Sequence, residues 1–147
     1  MSYTISEIEQ LVLTELDKAP LNTYCKAFEQ YDGQFNVDDL KGLTKRLPAC
    51  FVAWSGDRFS EVTTLVTYNV AMRISVIVAA QSLRGNFKAK DDDKGASQMA
   101  DDVKTLLHKN NLGKSDIVGL ELVGRQPLIV EPQLAVYGLD FQLEFID

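Results

Sequence analysis

The strongest pattern in this chain is a long alternating stretch, residues 61–82, which reads EVTTLVTYNVAMRISVIVAAQS. Apolar side chains recur at every second position, at Tyr68, Val70, Met72, Ile74, Val76 and Val78, and are opposed by Thr67, Asn69, Ala71, Arg73 and Ser75. A period of two places successive side chains on opposite faces, so the stretch predicts a strand with one face in a core. The run is much longer than the usual strand of about 5–6 residues, and we expect it to bend or to extend beyond its sheet.

Other apolar segments predict further strands. Residues 48–54 form a compact apolar run that ends at Ser55-Gly56-Asp57, as a buried strand does. Residues 135–145 alternate apolar side chains with Gly138, Asp140, Gln142 and Glu144. Between these regions we expect one strand containing Ile117, Leu120 and Leu122 and a separate short strand at residues 128–130, bounded by Pro127 and Pro132. Residues 24–28 fit either a short strand or a helical turn, and residues 37–40 fit a further helical turn.

Two segments have the spacing of amphipathic helices. The first has a capping box, Thr4 with Glu7 or Ser6 with Glu9, followed by apolar residues at helical spacing and by Pro20 at its end. The second is expected to be capped near Ser97 and to end at residues 110–113. The order of elements predicts one α+β domain over residues 1–147, with two helices flanking a mostly antiparallel sheet that contains one long strand.

Composition excludes several classes of protein. The 147 residues carry 15 Lys and Arg against 21 Asp and Glu, a net charge of -6, which argues against a protein that coats nucleic acid. The sequence has no apolar run long enough for a transmembrane helix, and residues 1–7 do not have the pattern of an export signal. Cys25 and Cys50 share no CxxC spacing, so we expect free, buried thiols in a reducing compartment.

No motif for enzymatic chemistry is present. The sequence contains no GxGxxG, GxxxxGK[ST] or GxSxG pattern, and its single histidine, His108, is placed where a surface or helix-capping role is expected. We therefore expect neither a catalytic site nor a cofactor or metal site.

The candidate interface residues fall into two groups. Arg58 follows the apolar run of residues 48–54, and Arg73 interrupts the polar face of the long strand; arginine is enriched at binding hot spots. We expect Trp54, by contrast, to lie in the core. The second group is a charged loop after Leu83 and contains Arg84, Lys88, Lys90, Asp91, Asp92, Asp93 and Lys94. Its three carboxylates have three interpretations: a solvated loop, a docking element for a partner, or a Ca²⁺ or Mg²⁺ site, although the EF-hand pattern is absent.

The order of segments resembles a family of small proteins from the tail-assembly region of Mu-like phages and prophages. The stretches that carry this resemblance are residues 47–56, 76–85, 95–107 and 135–143. In layout this family is similar to the tail terminators of long-tailed phages, which are α+β proteins. The resemblance implies a structural virion protein that is assembled in the host cytoplasm and forms a hexameric ring on the tail tube. Such a ring stops tube polymerisation and joins the tail to the head connector, with the sheath protein as a further neighbour.

Three other functions remain open from the residues alone. A head–tail connector or baseplate component would keep the protein in the virion at another position. A small cytoplasmic protein that binds a ligand in an apolar pocket between sheet and helices would give a retained ligand in native mass spectra. An enzyme is the third alternative, although no nucleophile–base pair or metal constellation is visible.

The charged loop gives a first testable prediction. Replacing Lys88, Lys90 and Lys94 with glutamate is expected to prevent tail assembly without lowering the melting temperature, because solvated charges contribute little to folding but much to docking. Electron microscopy of tails and thermal unfolding of the purified variant measure the two effects. Tails of normal length from this variant would show that the loop has no role in assembly.

Overall fold

A computed structural model describes residues 3–31, 47–61, 68–81, 95–130 and 134–146. Its helices are α1 (Ile5–Leu16) and α2 (Ala96–Leu107), with a short 3-10 turn at Leu21–Thr23. The strands are β1 (Ala27–Gln30), β2 (Ala49–Glu61), β3 (Tyr68–Gln81), β4 (Ile117–Val130) and β5 (Leu134–Ile146). They form one sheet in the order β1-β2-β3-β5-β4, in which only β1 and β2 run parallel. The predicted α+β class with a mostly antiparallel sheet is confirmed.

Residues 68–81 of the long alternating stretch form β3, a central strand that pairs with β2 on one side and β5 on the other, whereas Glu61, where the predicted strand began, is the last residue of β2. Its alternation explains the two faces of the sheet. The side chains of Val70, Met72, Ile74, Val76 and Val78 are buried together with residues of both helices, including Ile8, Val12, Met99 and Val103. The other face carries a smaller buried cluster around Phe51, Ile77 and Val136, to which neither helix contributes. The helices therefore cover one face of the sheet.

Two further predictions about the strands are wrong. β2 does not end at Ser55-Gly56-Asp57 but continues to Glu61, because a bulge between Trp54 and Gly56 lets the ladder with β3 resume; Gly56 has a φ of 124°, which favours glycine. The two strands expected within residues 117–130 are one strand, β4, with three irregularities in its register. Pro127 does not interrupt it, because β4 is an edge strand in which a missing N–H is tolerated.

Helix ends are partly as predicted. Thr4 caps α1, since its hydroxyl accepts a hydrogen bond from the Glu7 amide at 3.1 Å, but the helix ends at Leu16, four residues before Pro20. α2 begins at Ala96 after Gly95, and no side chain caps it, so the predicted cap near Ser97 is wrong. The helix ends at Leu107, earlier than residues 110–113, and His108 follows as the expected capping residue. Of residues 24–28, only Ala27 and Phe28 lie in a strand, and residues 37–40 lie outside the described residues.

Tyr24 and Asp102 connect the segment before β1 to helix α2. The Tyr24 hydroxyl donates a hydrogen bond of 2.5 Å to Oδ2 of Asp102. Burial, together with this bond to a carboxylate, raises the pKa of Tyr24 above its ordinary value. A hydrogen bond to a charged acceptor contributes about 1.5–3 kcal/mol, so this contact helps to fix the helix on the strands.

Removing that hydroxyl gives a second prediction. Tyr24→Phe is expected to lower the free energy of unfolding by about 1–2 kcal/mol at neutral pH, because Asp102 loses a donor. Since the folded-state pKa of Tyr24 is raised, its contribution is fully present below the unfolded value of 10.0 and is lost as the pH rises beyond it. Urea unfolding at pH 7 and at pH values above 10 tests both effects. A variant that matches the parent chain at pH 7 would contradict the role of this bond.

Candidate interaction surface

The candidate surface lies where the second half of β2 leaves the main core, beside the neighbouring ends of β3 and β5. Phe51 and Val52 are fully buried, but every described residue of β2 from Trp54 onward is partly or largely exposed. β3 pairs with this half of β2 as far as Tyr68, and β5 pairs with β3 as far as Ile146. On β3 and β5 the helix-bearing face stays buried at Val70, Met72, Leu143 and Phe145, so the extension is the exposed second half of β2 together with the polar face of β3 and β5 beside it.

One face of this extension carries a polar cleft of about 550 Å³. Three strands supply its walls: Ser55, Gly56, Asp57, Arg58, Phe59 and Ser60 from β2, Asn69, Ala71 and Arg73 from β3, and Gln142 and Glu144 from β5. The register explains why these residues meet. Arg73 lies opposite both Gly56 and Gln142, and Ala71 lies opposite both Arg58 and Glu144. The small residues Gly56 and Ala71 therefore lie opposite the two arginine side chains, which leaves space between those side chains.

The structure brings the two predicted arginines into this one cleft. Both side chains are exposed, and neither forms an ion pair with a residue in the described part of the chain. Glu144 shares the cleft and likewise forms no ion pair with a described residue. Two guanidinium groups with this freedom are suited to bind carboxylates of a partner, because the planar donor fork of arginine matches a carboxylate.

A hydrogen-bonded row separates this cleft from the apolar cluster farther along the same face. The Ser55 and Ser75 hydroxyl oxygens are 2.6 Å apart, and Ser75 donates to Oδ1 of Asp140 at 2.7 Å. Because Ser75 has only one hydroxyl proton, Ser55 must be the donor to Ser75. The row ties β2, β3 and β5 together beside the cleft and holds its inner wall in place.

The opposite face of the extension is aromatic. The rings of Phe59 and Tyr68 pack edge to face with centroids 6.4 Å apart, yet the two residues are 56% and 41% exposed. Phe59 pairs with Val70, a core residue on the helix-bearing face, and Tyr68 lies two residues before Val70 in β3 and therefore on the same face. The sequence analysis did not predict this aromatic pair as a candidate surface. The signal that could have indicated it is Phe59, an aromatic residue within the polar run that follows Gly56.

The prediction that Trp54 lies in the core is wrong. Trp54 is 43% exposed, its indole N–H donates to Asp57 at 2.8 Å, and its backbone N–H donates to the Glu9 carboxylate at 3.2 Å. The physical reason is its position at the bulge, where β2 leaves the core. Exposed tryptophan is typical of interface residues, so Trp54 joins the candidate surface.

The predicted charged loop follows the end of β3 that is farther from the arginine cleft. Arg84, Lys88, Lys90, Asp91, Asp92, Asp93 and Lys94 lie outside the described residues. The loop follows Gln81, which pairs with Leu134, whereas Arg73 pairs with Gln142 eight residues away along β3. At about 3.3 Å per residue, the origin of the loop is roughly 26 Å from the arginine cleft.

His108, the single histidine of the chain, has a structural role. The Nδ1 atom of His108 accepts a hydrogen bond of 3.2 Å from the Leu122 amide, which connects the end of α2 to β4. Within the described ranges, no three His, Cys, Asp or Glu side chains form a group that could hold a metal ion. None of the helices in these ranges is both long and apolar enough to span a membrane.

Comparison with known proteins identifies the family. The family model described as Bacteriophage Mu, Gp37 matches residues 4–146. The chain belongs to the Bacteriophage Mu Gp37 family. The predicted resemblance to Mu-like phage proteins is thereby confirmed.

A relative and a solved structure extend this result. This Mu Gp37 family member is 28% identical over 141 residues to the Mu-like prophage FluMu protein gp37 of Haemophilus influenzae, a match that covers 93% of this chain and 68% of the relative. Its fold is similar to that of a chain in the virion of a native gene transfer agent particle, with a TM-score of 0.63 and 13% identity. That match covers 99% of this chain and 100% of the other, so nearly the whole fold is shared.

Proposed function

We propose that this protein is a non-enzymatic structural component of a phage tail, namely the terminator that forms a hexameric ring on the tail tube. In this role it stops polymerisation of the tube and provides the surface for the head connector. The observation that carries the proposal is the end-to-end similarity of fold to a virion chain, in a protein of a Mu-like phage family. Its place of action is the virion, after assembly in the host cytoplasm.

The exposed extension of the sheet supports a role in assembly. A ring needs two different complementary patches on each subunit, since a head-to-tail contact joins unlike surfaces. The extension supplies one patch with a polar cleft that contains Arg58 and Arg73, and an aromatic pair on its other face, at Phe59 and Tyr68. We assign this patch to the contact with a second copy of the chain, because the net charge of -6 makes each copy rich in the carboxylates that arginines bind.

The charged loop is assigned to the tail tube. Its anchor at Gln81 is far from the arginine cleft along β3, so the two candidate surfaces serve different neighbours in this arrangement. The sheath protein and the head connector are further partners in the proposal.

The test of this function is loss of the gene product in an inducible Mu-like prophage that encodes it. Without a terminator the tube continues to polymerise, so electron microscopy is expected to show tails of variable and excessive length, and supply of the chain in trans restores their length. An antibody against the chain is expected to label the head-proximal end of the tail. Normal tail lengths without the protein, or labelling of the distal end, would overturn the terminator assignment, and the second result would favour a baseplate component.

A measurement on the purified chain complements the genetic one. Light scattering across a wide concentration range, repeated in the presence of isolated tail tubes, is expected to give a closed species of six times the 16.4 kDa chain mass. Electron microscopy of that species is expected to show a ring with a lumen. A chain that remains monomeric both alone and on tubes contradicts the hexameric ring.

A further inference from the structure

The fold brings the two cysteines of the chain into contact, although 25 positions separate them in sequence. Cys25 lies between the 3-10 turn and β1, Cys50 lies near the start of β2, and their Sγ atoms are 3.7 Å apart. Both are free thiols; Cys50 is fully buried and Cys25 is 9% exposed. Because the sequence contains only these two cysteines, any thiol chemistry of the protein is confined to this pair.

The surroundings of Cys25 give the two thiols different reactivity. Its Sγ atom lies 3.4 Å from the Ala27 carbonyl oxygen and 3.5 Å from that of Pro48, so the side chain is held beside β2. The Cys50 thiol next to Cys25 lowers the pKa of Cys25, whereas the same contact raises the pKa of Cys50. Cys25 is also the more accessible of the two thiols, so a dissolved disulfide reaches it before Cys50.

We propose that Cys25 and Cys50 are a dithiol site at which a low-molecular-weight disulfide, such as oxidised glutathione, forms an intramolecular disulfide bond. In the first step the Cys25 thiolate attacks one glutathione sulfur; a mixed disulfide forms, the glutathione S–S bond breaks, and one glutathione thiolate leaves. In the second step Cys50 loses its proton and attacks Sγ of Cys25, and the second glutathione leaves. The protein loses two protons and two electrons in total, and the glutathione disulfide is reduced to two thiols.

The disulfide bond would link β2 to the segment before β1, a strand of four residues at one edge of the sheet. That segment is held by backbone hydrogen bonds from Cys25 N–H to the Leu21 carbonyl and from Lys26 N–H to the Pro48 carbonyl, to which the disulfide would add a covalent link. A covalent link across 25 positions removes conformational freedom from the unfolded chain and so favours the folded state. This inference does not depend on the tail role proposed above, because it concerns the chain alone.

The experiment measures disulfide formation in the folded and the unfolded chain. Reduced full-length protein is equilibrated with mixtures of reduced and oxidised glutathione, in buffer and in concentrated urea, and the acid-quenched species are resolved by mass. The expected product in buffer is a monomer about 2 Da lighter with no free thiol, and its melting temperature is higher by about 5 °C or more. By thermodynamic linkage, the equilibrium constant for disulfide formation is expected to be about 300-fold larger in buffer than in urea, as the entropy of closing a loop of this size requires.

Single variants identify the attacking thiol. In Cys50→Ser the mixed disulfide cannot resolve, so Cys25 is expected to accumulate one bound glutathione much faster than Cys50 does in Cys25→Ser. The result with the unmodified chain decides the proposal even where a variant fails to fold. The proposal is overturned by an equilibrium constant no larger in buffer than in urea, by glutathione bound separately at both cysteines, or by disulfide-linked dimers as the main product.

Discussion

The double variant Arg58→Glu/Arg73→Glu is expected to abolish the proposed hexameric ring, with a fall of at least about 100-fold in the association constant of the subunits. Both arginines line one cleft and lack ion-pair partners among the described residues, so they are free to bind carboxylates of a neighbouring subunit. Glutamates at these positions would replace attraction with repulsion, beside the Glu144 carboxylate already present in the cleft. Light scattering and electron microscopy of the variant with tubes measure the effect.

A control with the same change in charge separates the cleft from general electrostatics. Lys104 and Lys114 are exposed and lie outside the residues that line the cleft, so Lys104→Glu/Lys114→Glu alters the net charge equally. This control is expected to assemble almost as well as the parent chain, and both double variants are expected to keep their melting temperature within a few degrees because exposed charges contribute little to stability. Equal loss of assembly in the two variants would remove the cleft from the interface.

Replacing Phe141 with alanine is expected to lower the free energy of unfolding by about 3–5 kcal/mol, a large part of the stability of a domain of this size. Phe141 is fully buried in β5, where it pairs with Ile74 of β3 and Leu122 of β4 beneath the helices. Loss of its ring removes buried apolar surface and leaves a cavity that the long strands cannot close without disturbing their ladders. Urea unfolding monitored by circular dichroism measures the loss.

Phe59→Ala is the matched control for this prediction. The chemical change is the same, but Phe59 is 56% exposed and its described ring contact is with Tyr68 at the surface. We expect a loss below about 1 kcal/mol, together with weaker assembly if the aromatic face contacts a partner. Similar losses of stability for the two variants would contradict the division between the core and the exposed extension.

The secondary structure could be predicted where one local pattern dominated. The alternation around β3 and β5 and the helical spacing of α1 are local properties, and the structure confirms them. The boundaries that were wrong depend on pairing: β2 continues through Gly56 because β3 offers a ladder beyond the bulge, and β4 passes Pro127 because it lies at an edge. The residues next to Gly56 and Pro127 in the sequence do not specify which strands pair there.

For the candidate surface, the sequence identified Arg58 and Arg73 as residue types suited to an interface but could not show that they meet. Their meeting depends on the register between β2, β3 and β5, which also brings Gln142 and Glu144 to the cleft. The same reason explains the error at Trp54, because hydrophobicity favours burial and only the three-dimensional position of the bulge leaves that side chain exposed.

The sequence by itself determined the α+β class, the two-faced central strand and the family, because these depend on periodicity and on the order of segments along the chain. Only the tertiary structure decided which distant residues became neighbours: the two arginines, the aromatic pair of Phe59 and Tyr68, and the thiols of Cys25 and Cys50. The physical reason is that a side chain's local pattern fixes the face on which it lies, whereas its partners are fixed by strand order and register, which result from packing of the whole chain.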